Sequence, residues 1–168
     1  RKLDRYNDFA SLLSYNSLTL LFNKHSTDIN EPSFQRSLVN SLLTSGIAME
    51  IAGSSRPASG SEHLISHGLD AGSRRPRMHG LQVGVATYLC ALLQNNPSTA
   101  NVRDILSITG FFNYVKQDPL SKEDFINALQ MAPGIKANYY TVLSEPDSFA
   151  RALQFIDRDP ILNQIIRY

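Results

Sequence analysis

Apolar residues recur along this chain at steps of three and four, and no other feature constrains the fold as much. Leu38, Leu42, Leu43, Ile47 and Ile51 trace one such stripe, and Leu81, Val85, Leu89 and Leu92 trace another. That spacing gathers side chains on one face of a helix, whereas a half-buried strand would alternate residue by residue. Phe9, Leu12, Leu13, Leu20 and Leu21 repeat the pattern near the start. The breaks between stripes carry turn chemistry. "HSTDINEPS" interrupts at Pro32, Gly53 is suited to cap a helix C-terminus, and "GSSRPASGS" cannot propagate a helix because Gly frees the backbone and Pro lacks an N–H. Ser59 or Ser61 then caps the next helix. "PLSKEDFINALQMAPG" shows a capping pattern, Ser121 with Asp124, and a stop at Pro133 and Gly134. Gly84 lies inside a helical stripe at a cost in propensity, which predicts a close backbone or ligand approach there. Only residues 139–143 could be read as a strand. The expected fold is all-α, a bundle of about seven to eight helices occupying residues 1–168 as one domain.

Composition excludes several classes. With 42% hydrophobic residues in 168, the chain can bury roughly two-thirds of its unfolded surface. A formal net charge of +1 excludes nothing by itself, but it does not point to nucleic acid, where basic residues would cluster on one face. No apolar run approaches the ~20 residues needed to span a bilayer, and "RKLDRYNDF" lacks the apolar centre of a signal peptide. The single cysteine, Cys90, has no intrachain partner and reads as a small buried apolar residue. A reduced, cytoplasmic setting is expected.

The chemistry concentrates around three imidazoles. His63 and His67 stand four residues apart in "GSEHLISHGLD", on one helix face about 6 Å apart. His79 opens the next helix, beyond a short turn, within reach of the same volume. Neutral imidazoles are common ligands of zinc and iron, and three ligands with an open position form a catalytic arrangement. Ordinary amphipathic histidines are the competing reading. Ahead of them, Ser54, Ser55, Arg56, Ser59 and Ser61 lead into a helix N-terminus, where backbone N–H groups and a guanidinium suit an anion. A flexible surface loop is the alternative there. The basic turn "SRRPR" is read as solvated surface. His25, in a polar turn, needs no role.

The segments "SGIAMEIAGSSRPASGSEHLISHGLD" and "RMHGLQVGVATYLCALL" resemble the helical domain of the sn-glycerol-1-phosphate dehydrogenases. These belong to the iron-containing alcohol dehydrogenase and dehydroquinate synthase superfamily. The resemblance covers residues 45–93 and fades after about Asn95. It implies a two-domain enzyme of which this chain is the C-terminal helical domain, binding metal and substrate. An N-terminal domain outside the chain would bind NAD(H) or NADP(H), and no dinucleotide fingerprint occurs here. By the same resemblance His63 and His79 bind a divalent metal, zinc or iron, and His67 is the catalytic group that relays a proton. Ser55, Arg56, Ser59 and Ser61 then hold the phosphate of a three-carbon substrate. The implied reaction reduces dihydroxyacetone phosphate to sn-glycerol 1-phosphate, in phospholipid metabolism, by a homo-oligomer without a membrane span or nucleic-acid partner. The family's third metal ligand is an aspartate in a "GxGD" segment that this sequence lacks. Neither Asp4 nor Asp8 follows such glycines, so the role is not transferred to them. Related polyol dehydrogenases, dehydroquinate-synthase-like enzymes and a stand-alone helical metal- or phosphate-binding module are the alternatives.

Overall fold

The computed structural model describes residues 6–22 and 28–168. His25 and Asp4 lie outside the described residues. Two compact units emerge among the described residues, one within residues 6–60 and the other comprising residues 61–168.

The first unit is a pair of packed helices, α1 (Asp8–Phe22) and α2 (Pro32–Ala52). Pro32 occupies the first turn of α2, where its missing N–H would have had no intrahelical acceptor. Gly53 closes the helix in the left-handed region at φ 62°, and the Gly53 and Ser54 N–H groups return to the Glu50 and Met49 carbonyls. The leucine stripes, however, are not the buried faces. Leu12, Leu42, Leu43 and Ile47 are all more than half exposed, while Ala10, Ser17, Phe34, Ser37, Ser41 and Ala48 are buried. Small side chains let two backbones approach closely, so apart from Phe34 the buried positions are serines and alanines and the leucine stripes stay outside.

The second unit holds α3 (Ser61–Gly72), α4 (His79–Leu93), α5 (Thr99–Ile108), α6 (Phe111–Gln117), α7 (Lys122–Ile135), α8 (Ser148–Arg158) and the short α9 (Leu162–Ile165). The all-α reading therefore holds, with nine helices among the described residues. The sheet amounts to one parallel pairing of β1 (Leu120–Ser121) with β2 (Ile166–Arg167). Helix α4 is the axis of this unit. Val85, Ala86 and Leu89 are fully buried, and Tyr88, Cys90 and Leu93 nearly so, because α3, α5 and α8 cover it from different sides. Leu64, Ile65 and Leu69 of α3 join Phe125 and Leu129 of α7 in the same core.

Local signals behave as the side chains dictate. Ser121 Oγ accepts from the Asp124 N–H at 3.2 Å and starts α7. The expected stop at Pro133 and Gly134 is overturned, since α7 continues to Ile135. Proline in the last turn removes only one hydrogen bond, and the neighbouring Ala132 is held fully buried. Residues 139–143 form no strand. Thr141 caps a 3-10 turn, Val142–Ser144, through a reciprocal pair of hydrogen bonds. Gly84 is the site of a close approach, by the Phe111 ring: a Cβ there would stand 2.4 Å from Phe111 Cζ.

Gly68 marks a tight helix crossing. A Cβ at this position would meet Ala128 Cα, Cβ and O, each at 3.0 Å, so α3 and α7 touch backbone to backbone. Gly68→Ala is therefore expected to destabilise the protein by about 1–3 kcal/mol through overpacking, against an opposing helix-propensity gain of about 1 kcal/mol. Urea denaturation measures the balance. A stabilised variant would show that the two helices can part freely.

Candidate functional site

Helix α3 carries His63 and His67 one turn apart, and the turn at residues 73–78 returns the chain so that α4 begins beside α3 with His79. All three imidazoles gather within the second unit. The His63 and His79 ring centroids lie 5.2 Å apart with planes inclined at 56°. His67 and His79 are 6.3 Å apart and nearly perpendicular. His67 and His79 are exposed, while His63 retains only 24% of its side-chain surface. The cluster thus opens outward from one end of α3.

The hydrogen bonds behind the rings decide which nitrogens face outward. Glu62 Oε1 lies 2.8 Å from His63 Nδ1. A carboxylate only accepts, so Nδ1 carries the proton and Nε2 keeps its lone pair. His79 Nδ1 lies 3.0 Å from the hydroxyl of Ser66, a residue with no exposed surface. A hydroxyl can donate or accept, so this contact holds the His79 ring through Nδ1 and leaves Nε2 outside it without fixing which nitrogen carries the proton. An outer group that fixes ring orientation through Nδ1 is the arrangement that supports metal-ligating histidines. Glu62 and Ser66 were not singled out from sequence. Their signal was present in the spacing, because they form their own i, i+4 pair directly preceding His63 and His67.

The donor set fits a divalent metal in chemistry, with two imidazole Nε2 atoms offered together, but it is incomplete. No group of three His, Cys, Asp or Glu residues is placed to share a metal among the described residues. Cys90 does not contribute a thiolate. It is buried on α4, and burial pushes its thiol well above the usual cysteine range despite a hydrogen bond with Ser61.

In the segment that precedes α3, Ser55 is exposed, Arg56 partly buried and Ser59 buried. The Arg56 N–H donates to Ser54 Oγ at 3.4 Å. Ser61 is the first residue of α3 and is 3% exposed. The basic turn departs from the expectation of solvated surface. Arg75 is indeed open to solvent, but Arg77 keeps only 17% of its side-chain surface and pairs with Asp118. That carboxylate lies far along the chain and could not be assigned as a partner from the turn itself.

No family model matches the chain. Curated proteins named glycerol-1-phosphate dehydrogenase (NAD(P)+) do. The protein from Staphylothermus marinus is 36% identical over 150 residues, covering 86% of this chain and 41% of the relative. That from Methanobrevibacter smithii is 38% identical over 147 residues, with the same coverage of each chain. That from Aeropyrum pernix is 33% identical over 163 residues, covering 94% of this chain and 45% of its own length. The chain therefore spans about two fifths of the length of the curated relatives it matches. No helix among the described residues is long and apolar enough to cross a membrane.

Proposed function

Because the chain is related in sequence to the glycerol-1-phosphate dehydrogenases and corresponds to about two fifths of their length, we propose that it is the metal- and substrate-binding part of such an enzyme. The whole protein would reduce dihydroxyacetone phosphate to sn-glycerol 1-phosphate with NADH or NADPH, the nicotinamide being bound mainly by residues outside this chain. The observation that carries the reading is the pairing of His63 and His79, each with Nδ1 engaged by a neighbouring side chain.

In this reading His63 and His79 hold a divalent metal, zinc or iron, with a third ligand from outside the chain. When bound, the metal supplies Lewis acidity toward the substrate carbonyl and the nicotinamide supplies hydride. Glu62 and Ser66 hold the two imidazoles in orientation through their Nδ1 atoms. His67, exposed beside His79, moves the proton: its Nε2 or Nδ1 donates to the carbonyl oxygen as hydride reaches carbon, and it takes the proton back in the oxidative direction. Imidazole suits this because both protonation states are accessible near neutral pH. Arg56, with Ser55, Ser59 and the chain entering α3 at Ser61, binds the substrate phosphate and so fixes the carbonyl for transfer. Ser61, whose hydroxyl engages Cys90, acts there through its backbone N–H at the helix start.

Kinetics of the full-length enzyme test the phosphate assignment. Arg56→Ala is expected to raise KM for dihydroxyacetone phosphate by roughly ten- to a hundredfold, the worth of a charged hydrogen bond. Turnover of unphosphorylated dihydroxyacetone should change far less. Equal losses on both substrates would mean that Arg56 supports the fold, and the assignment would be dropped.

A further inference from the structure

The second unit contains a cavity of about 310 Å³ that shares no residue with the histidine cluster or with residues 53–61. Its walls come from the basic turn after α3, from β1, and from the paired strand β2. Arg75, Arg77 and Arg167 line it together with Ser121 and Asp124.

The hydrogen-bond inventory of these groups is lopsided. Arg77 Nη1 donates to the Asp118 backbone carbonyl at 2.6 Å and lies 2.7 Å from Asp118 Oδ2. The other three N–H bonds of the Arg77 guanidinium, on Nε and Nη2, have no acceptor among the described residues. Neither nitrogen is sealed from solvent, so these donors are open to an acceptor entering the cavity, where the buried unpartnered atom is the acceptor Gln82 Oε1. The Arg167 guanidinium makes no hydrogen bond or ion pair among the described residues. Ser121 Oγ accepts from the Asp124 N–H and keeps its own proton for donation. Three guanidinium groups face two carboxylates, and both carboxylates are already engaged. Asp118 is forked by Arg75, and Asp124 accepts from Ser73 Oγ at 2.6 Å. The wall is also fixed in place: Gln82, with no exposed surface, donates to the Arg77 carbonyl at 3.0 Å and to Asp70 at 2.6 Å.

We propose that this cavity binds a phosphate dianion, free or carried as a small monoester, between Arg77, Arg167 and Arg75, with the Ser121 hydroxyl as a further donor. The donors belong to three separate chain segments, held together by the Ser121–Arg167 register of the strand pair. They therefore converge from different directions, which matches the tetrahedral oxygens of phosphate better than the two coplanar oxygens of a carboxylate. The anion would balance the surplus positive charge and accept the idle N–H groups.

Calorimetric titration of the full-length protein with inorganic phosphate, and in a parallel arm with glycerol 2-phosphate, tests this at constant ionic strength. The Arg56→Ala background removes the phosphate site assigned under the proposed function, so the two assignments are judged separately. A saturable site is expected to persist in Arg56→Ala and to weaken about tenfold or more when Arg75→Gln and Arg167→Gln are added. Both side chains are exposed and the Arg75–Asp118 pair is a surface ion pair of little worth, so the variant should nearly keep the melting temperature of its parent, whereas Arg77→Gln would break the more enclosed contacts with the Asp118 carbonyl and carboxylate. Tighter binding of either probe identifies the free anion or the monoester as the occupant. Absence of a saturable site in Arg56→Ala for both probes, or an affinity unchanged by the two glutamines, would overturn the proposal.

Discussion

Replacing His79 with alanine is expected to lower the zinc affinity of the full-length protein by about a hundredfold or more. Loss of an outer partner that merely orients a ligating histidine costs roughly ten- to a hundredfold, so removal of the ligating ring itself lies at or beyond that limit. The prediction rests on the proximity of the His63 and His79 rings and on the engagement of both Nδ1 atoms. Ser66→Ala provides the graded comparison. It leaves the imidazole in place but frees its orientation, and should weaken zinc by about tenfold. His67→Ala, which removes the proposed proton relay, should leave zinc affinity nearly unchanged while depressing turnover. Competition with a chromogenic chelator measures all three. Equal zinc affinity in His79→Ala and the parent would remove His79 from the metal site.

Phe125→Ala is expected to cost about 3–5 kcal/mol, the largest stability loss among the substitutions considered. Phe125 is fully buried on α7 and belongs to the core that includes Leu64, Ile65 and Leu69 of α3. Such a cavity is often relieved when neighbouring elements collapse into it. Here α3 and α7 already meet backbone to backbone at Gly68 and Ala128, so they cannot draw closer, and the cost should sit toward the upper end. Denaturant titration of the full chain reads the effect as a lowered midpoint with an unchanged slope. A loss below about 1 kcal/mol would mean that the space refills and that α7 is not anchored through this side chain.

The parts of the fold that follow from local chemistry were legible in the sequence. Pro32 and Gly53 bracket α2, and Ser121 opens α7, because start and stop signals act within one turn of the residues that carry them. The three histidines were legible for a similar reason: an i, i+4 pair and a helix start after a short turn have few ways to lie apart. What the sequence hid depends on distant partners. The leucines of α1 and α2 look like the buried face, but the contact runs along Ser17, Ser37, Ser41 and Ala48, because small size, and not hydrophobicity, governs how closely two helices can approach. Arg77 looks like one of several surface charges until Asp118 arrives beside it. The pairing of Leu120 with Ile166 joins residues that no local pattern connects. Pro133 shows the remaining limit, since a breaker in the final turn loses little and packing outweighs it.

The burial of the chain's single thiol makes it a clock. Cys90 lies on the face of α4 that its neighbours cover, with a proton affinity raised by that covering, so a disulfide reagent in solution meets almost no thiolate while the unit is closed. Labelling must wait for α4 to be laid open. Where closing is faster than reaction, the observed rate divided by that of an unprotected cysteine gives the fraction of time the centre of the unit is open. That fraction can be followed without introducing any probe, and metal, phosphate or a substitution elsewhere in the chain will each slow or hasten the clock by the amount they steady or loosen α4.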